Sequence, residues 1–260
     1  MRTIAFFNQK GGTAKTTSTL NVAAALVERG SRVLVIDMDP QASLTMAVGV
    51  DVPSLDRSIY EALVDDDVRL RDIVQPSSIP DVWIAPSHPD LAAAELELLN
   101  VLERERRFEY ALSGLAGDAF DYVLIDSPPA LNILSINILV AVGELVVPIE
   151  PHPLSIMVLR RLFETINRVR RLNPDLRVVG FLPTKVHHSS RLANDMIETL
   201  REQFPTIPLL AAVPLSVKGA ESIVENTSIL DYMPNSPLSA AYRDIAATLA
   251  GLEVERPERV

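Results

Sequence analysis

The sequence predicts an α/β fold, a mostly parallel, twisted sheet with helices on both faces. Three observations predict it: short β-branched runs alternate with longer amphipathic stretches, several of the runs are apolar from end to end, and no repeat, linker or low-complexity segment interrupts the alternation. A strand that is apolar throughout has neighbours on both faces, the condition inside a parallel sheet covered by helices. In chain order, residues 3–8 read as the first strand and residues 15–29, built on Leu20 and the alanines beside it, as the first helix. Strands follow at 32–37 (RVLVID) and 82–86 (VWIAP), then a long helical pattern at 91–113. Two more apolar strands, 122–126 and 145–149, precede an amphipathic helix at 154–172. A strand at 178–183, a helix at 191–204 and a strand at 209–213 lead to a last helix at 237–252. Ser236 is a suitable N-cap for that helix, with Pro237 at its first helical position. In sheets of this kind ligands gather at the carboxyl ends of the strands.

The chain has 260 residues, 48% of them hydrophobic, enough for one sizeable core. One domain over residues 1–252 is expected, with residues 253–260 (EVERPERV) as a solvated tail. There is no cysteine, no apolar run approaching a membrane span, and no basic-apolar-small leader in residues 1–29. A cytoplasmic protein without disulfides or thiolate metal clusters is the expectation. A net charge of −10 argues against a surface that grips nucleic acid everywhere; any such grip must be a patch. Only four lysines, Lys10, Lys15, Lys185 and Lys218, stand against twenty arginines.

Two of those lysines flank a glycine-rich stretch, FFNQKGGTAKTTSTLNV, that runs from Phe6 to Val22. It has the makings of a phosphate loop, in which consecutive backbone N–H groups and a helix N-terminus converge on an anion. Yet it misses the pattern G-x-x-x-x-G-K-[ST] at both glycines, with Gln9 at the first and Ala14 at the second. Gly11 and Gly12 still allow positive φ and close approach, and Ala14 costs little if its φ is negative. Lys15 is placed to reach the β and γ phosphates, and the Thr16 hydroxyl to bind Mg²⁺. Two further strands end in carboxylates: RVLVIDMDPQAS carries Asp37 and Asp39, and FDYVLIDSPPA carries Asp126 as a Walker B strand does. Three carboxylates emerging beside one phosphate loop suit a magnesium site with an activated water.

K-G-G-x-x-K-[ST] at residues 10–16, D-x-D-P-Q at 37–41 and D-x-P-P at 126–129 resemble, together, the deviant Walker A P-loop NTPases, and specifically the ParA-type partition ATPases of the ParA/MinD superfamily. The resemblance covers nearly the whole chain. It implies that Lys10 is the family's signature lysine, which reaches across a nucleotide-sandwich homodimer to the partner's ATP. By the same resemblance Gly11, Gly12, Thr13, Ala14, Lys15, Thr16 and Thr17 surround the phosphates. Asp39 resembles the water-activating carboxylate, Asp126 the Walker B aspartate, and Asp37 a partner of the Mg²⁺ water. In-line attack of water on the γ-phosphate, with Lys10 and Lys15 stabilising charge, is the implied chemistry. Thr184 and Pro214 fall where the family lines its adenine pocket. Two departures stand out: Ala14 where the family usually has Gly, and Ala42-Ser43 in place of Gly-Asn.

Relatives with the same loop do different work. The nitrogenase iron protein and the arsenite-pump ATPase depend on cysteines, which this chain lacks. MinD proteins end in a basic amphipathic membrane helix, whereas LAGLEVERPERV has no excess of bases over acids and contains a proline. The polysaccharide-export tyrosine kinases carry a terminal tyrosine cluster, and here no tyrosine follows Tyr242. DNA binding has support in the charge pattern: Arg160, Arg161, Arg168, Arg170, Arg171, Arg177, Lys185 and Arg191 face only Glu164 and Asp175 in that span. VPLSVKGAES resembles the family's I-P-R-N-V-R-L-S-E-A, which places Lys218 on a position associated with nonspecific double-stranded DNA, with Leu215 where that pattern has an arginine. The resemblance therefore implies an ATP-dependent, nucleoid-associated ATPase that segregates or positions a cargo with a ParB-like or other partner that stimulates hydrolysis. A carboxysome-distributing relative and a metabolic P-loop phosphotransferase are the alternatives.

Overall fold

The structure is a computed structural model that describes residues 1–115, 117, 119–187 and 190–251. Seven strands form one sheet: β1 (Arg2–Phe6), β2 (Val33–Asp37), β3 (Gln75–Pro76), β4 (Val82–Ala85), β5 (Tyr122–Asp126), β6 (Glu144–Ile149) and β7 (Arg177–Pro183). Their order is β3-β4-β2-β5-β1-β6-β7, and every neighbouring pair is parallel except β3 with β4. The central strands are buried on both sides because their residues alternate between two cores. On β1 and the residue after it, Ala5 and Phe7 face one core and Ile4 and Phe6 the other. The first core is closed by α3 (Ile59–Val64), α4 (Leu91–Glu97), α5 (Arg107–Ser113), α6 (Ile133–Ala141) and α7 (Ser155–Val169). The second is closed by α1 (Lys15–Val27), α10 (Ile229–Tyr232) and α11 (Pro237–Leu249), with Tyr242 fully buried in it. The remaining helices are α2 (Ser43–Ala47), α8 (Arg191–Gln203) and α9 (Lys218–Val224).

Six of the seven expected strands form. The seventh, 209–213, does not: it touches β7 and its following loop only through single bridges, Phe181 with Leu209 and Val186 with Pro214. Pro208 and Pro214 bracket the segment and cannot donate ladder hydrogen bonds. The expected helix at 91–113 is broken into α4 and α5, with Glu103 between them in the left-handed region at φ 53°. Asn137 holds the restart from outside, accepting from the Phe108 N–H at 3.0 Å and donating to the Arg104 carbonyl at 2.8 Å. Ser236 caps α11 through the Ser239 N–H with Pro237 inside the first turn, as its sequence indicates. The expected tail, 253–260, and residue 252 of the last helix lie outside the described residues.

Candidate nucleotide site

The loop between β1 and α1 stands at the carboxyl ends of the central strands and is tied down on the β6–β7 side. Asn8 donates to the Pro148 carbonyl at 2.7 Å and accepts from the Lys10 N–H at 3.0 Å. Thr184 is fully buried after β7, and its hydroxyl donates to the Thr13 carbonyl at 3.1 Å. Gly11 and Gly12 are exposed at the loop's crest, Gly12 with φ 73°. Ala14 departs from the expectation of a negative φ. It is left-handed, with φ 60° and ψ 34°, and it is the N-cap of α1. The loop demands that conformation because the chain must turn from the crest into the helix, and an L-residue with a Cβ accepts it at a cost of about 1–2 kcal/mol. No side chain caps α1, so its first N–H groups are left for an anion.

Sheet register sets the acidic side of the site. Phe6 on β1, Asp126 on β5 and Asp37 on β2 are paired across neighbouring strands, so both carboxylates stand at one height beneath the loop. The Thr16 hydroxyl donates to Asp126 Oδ2 at 2.6 Å, while Asp126 Oδ1 is buried with no hydrogen-bond partner among the described residues. Burial pushes the Asp126 carboxyl well above its ordinary range, Asp37 adds to this, and the Thr16 hydroxyl and Lys15 oppose it. Asp37 is pushed up to about 6, again by burial, although both its oxygens are engaged. Its Oδ2 accepts from the Thr45 N–H at 2.9 Å and hydroxyl at 2.8 Å, and its Oδ1 from the Asp39 N–H at 3.1 Å. Lys15 is 7% exposed, and burial lowers its pKa against the attraction of Asp126 and Asp39.

The three carboxylates stand close enough to act on one another: on top of burial, Asp37 and Asp39 both push the Asp126 carboxyl up. Among the described residues no group of three His, Cys, Asp or Glu side chains is arranged to hold a metal ion. Asp37 is turned to Thr45 and to the backbone of Asp39. Asp39 is half-buried at the mouth; one oxygen accepts from the Gln41 N–H at 3.0 Å, and its carbonyl accepts from Ser87 Oγ at 2.8 Å. Its Oδ2 accepts no hydrogen bond among the described residues. Thr16 and the unpartnered oxygen of Asp126 fit magnesium, an ion that takes few protein ligands and completes its shell with phosphate and water. Lys10 lies at the same mouth, its amine 3.5 Å from Glu150. Sequence reasoning missed Asn8, Thr45, Ser87 and Glu150; only Asn8 was adjacent to a motif, and the others act on it from distant elements.

The basic residues are less concentrated than their sequence spacing suggests. Arg177 is drawn to the opposite end of the sheet by Glu144, at 2.8 Å, and Arg170 donates to the Leu176 carbonyl. Arg160 contacts Gln203 at the end of α8 at 3.4 Å, whereas Arg191 begins that 13-residue helix, so the two lie at opposite ends of it. Arg161 is exposed on α7, and Lys218 on α9 pairs with Glu221 at 2.6 Å. Pro214 is half-buried and bridges to Val186, beside Thr184. Thr17 lies close to α9: its methyl is 3.9 Å from where a Cβ on Gly219 would stand.

A mostly parallel sheet carrying a strand–loop–helix of this composition, with a buried Thr–Asp pair below it, defines a P-loop nucleoside triphosphatase of the ATP-binding superfamily. The chain belongs to the AAA-domain family in which the ParA and Soj proteins fall: the family's pattern matches residues 1–178. It is 33% identical over 248 residues to the sporulation initiation inhibitor protein Soj of Bacillus subtilis, covering 95% of this chain and 97% of Soj. It is 35% identical over 221 residues to the chromosome partitioning protein ParA of Myxococcus xanthus, covering 85% of this chain and 77% of that one. In three dimensions it is similar to cobyrinic acid a,c-diamide synthase from Mycobacterium smegmatis with bound ATP analog and magnesium, with a TM-score of 0.84 and 34% identity over 96% of this chain and 94% of that one. Among the described residues no helix is long and apolar enough to cross a membrane.

Proposed function

We propose that this protein is a magnesium-dependent ATPase that dimerises on ATP, binds double-stranded DNA without reading its sequence, and segregates or positions a cargo with a partner that stimulates hydrolysis. The observation that carries the reading is the pairing of Thr16 with a buried Asp126 whose second oxygen is unused, under a loop edged by Lys10 and Lys15. Lys15 would hold the phosphate chain, and Thr16 with Asp126 would hold magnesium. That ion would supply neutralisation of the charge on the phosphates. Asp39, its backbone fixed by Asp37 and Ser87, orients the attacking water through its Oδ2. Lys10 sits at the rim, where its pairing with Glu150 can be exchanged for a phosphate of a second subunit. Lys218 stands near the site, since its neighbour Gly219 lies close to Thr17 at the start of α1.

Two variants test this. Lys10→Ala is expected to remain monomeric with ATP and magnesium while still binding nucleotide; light scattering that shows normal ATP-dependent dimers rules out the cross-subunit role. Asp39→Ala is expected to bind ATP and dimerise while losing most hydrolysis, on the order of a hundredfold. Turnover at the native rate would move the water-orienting role elsewhere, with Asp126 next in line. The likeness to a protein named as a cobyrinic acid a,c-diamide synthase supports a second reading, a metabolic P-loop enzyme. Titration of nonspecific duplex with ATP and with ADP separates the two: binding that depends on ATP favours the partition reading, and equal or absent binding favours the metabolic one.

A further inference from the structure

Three of the chain's four lysines surround the phosphate loop, and one of them has no part in the mechanism above. Lys185 follows the buried Thr184, and its Nζ stands 4.0 Å from the position a Cβ on Gly12 would take. It is exposed, and it makes no ion pair among the described residues. The other three lysines each face a carboxylate: Lys10 Glu150, Lys218 Glu221, and Lys15 the buried Asp126. The backbone aims Lys185 there deliberately. Its φ is 55°, a conformation that a side chain other than glycine adopts only when its surroundings impose it. The surroundings do so on both sides: the Thr184 N–H donates to Ile149 at 2.8 Å, and the Val186 N–H to Val213 at 3.0 Å. With its neighbours pinned to β6 and to the 209–213 segment, the residue between them is turned back over the loop.

We propose that Lys185 is a further nucleotide-binding residue, acting on the part of a nucleoside di- or triphosphate that lies away from the reacting phosphate. Strand order gives the direction. The Thr16–Asp126 pair and Asp39 stand on the β5–β2 side of β1, and Lys185 stands on the β6–β7 side. A nucleotide whose terminal phosphate meets Asp39 therefore presents its inner phosphate and sugar to Lys185. An unpaired ammonium there attracts the phosphate, while its aliphatic stem covers the ligand's apolar surface.

The proposal rests on nucleotide binding at this loop, and the test separates the two. ADP and ATP affinities are measured by equilibrium titration with magnesium for the native protein, Lys185→Ala, Lys185→Met and Lys185→Gly. Lys185→Ala is expected to weaken ADP and ATP by the same factor, about tenfold, as loss of one charge-assisted contact does. Lys185→Met keeps the stem and should recover part of that loss. Lys185→Gly should raise the unfolding temperature, because its φ is relieved, while weakening nucleotide; a residue with only a structural role would not move the two in opposite senses. Unchanged ADP affinity in Lys185→Ala overturns the proposal, as does a loss confined to ATP, which would put the lysine at the terminal phosphate. A native protein that binds neither nucleotide removes the nucleotide reading itself, and this proposal with it.

Discussion

Ala14 and Ala42 share one backbone problem. Each is the N-cap of a helix beside the site, each is left-handed, with φ 60° and 51°, and neither gives a side-chain cap. Glycine takes that conformation freely, so replacing either alanine relieves about 1–2 kcal/mol, less about 0.5–1 kcal/mol for the greater freedom of glycine in the unfolded chain. Ala14→Gly and Ala42→Gly are each expected to stabilise the nucleotide-free protein by about 1 kcal/mol, a rise of about 2–4 °C in thermal unfolding. An unchanged or lower midpoint would mean that the loop relaxes around the alanine at no cost. The residue identities at this site were readable because phosphate chemistry restricts them: a lysine and a hydroxyl after a glycine pair, and a carboxylate at a strand end. The sign of φ at Ala14 was not, since alanine carries no preference that announces it. Nor was the engagement of Asp37, because Thr45 meets it only once α2 has folded back.

At the scale of elements, β7 shows how an irregular segment is held in place of a strand. A Cβ on Gly180 would stand 2.7 Å from Leu210 Cγ, so the glycine is what lets the 209–213 segment lie against the strand. Gly180→Ala is expected to destabilise by about 1–3 kcal/mol through overpacking. Adding Leu210→Ala should cost less than the two single changes summed, a coupling that denaturant unfolding of all four proteins would reveal. Full additivity would place the strain elsewhere. Strands were legible wherever an apolar run ended in a carboxylate or a turn, as at β2 and β5. The helix α6 was not, because ILSINILVA is apolar on nearly every face and so has no period of 3.6 to detect. The break between α4 and α5 was hidden for a different reason: it is imposed by Asn137, which lies 29 residues beyond Phe108.

For the whole molecule, a net charge of −10 opposes DNA, and the basic groups are spread over α7, α8 and α9. A single copy therefore offers few adjacent cations, whereas two copies joined at the loop face would offer two sets along one duplex. Lys218 is further restrained by Glu221, which also accepts from the Tyr232 hydroxyl at 3.1 Å. Glu221→Gln should strengthen ATP-dependent binding of duplex DNA and steepen its salt dependence, and Lys218→Ala should do the reverse. Identical salt profiles for the two variants would remove α9 from the DNA surface. The short edge strand β3 bears on assembly in another way. It offers only Gln75 and Pro76 to the solvent side of the sheet, and a proline has no N–H to give. An eighth strand from another chain would find almost no ladder to extend there, so copies of this protein that meet, even crowded together at high local concentration, are steered away from edge-to-edge aggregation and toward the faces that can release them.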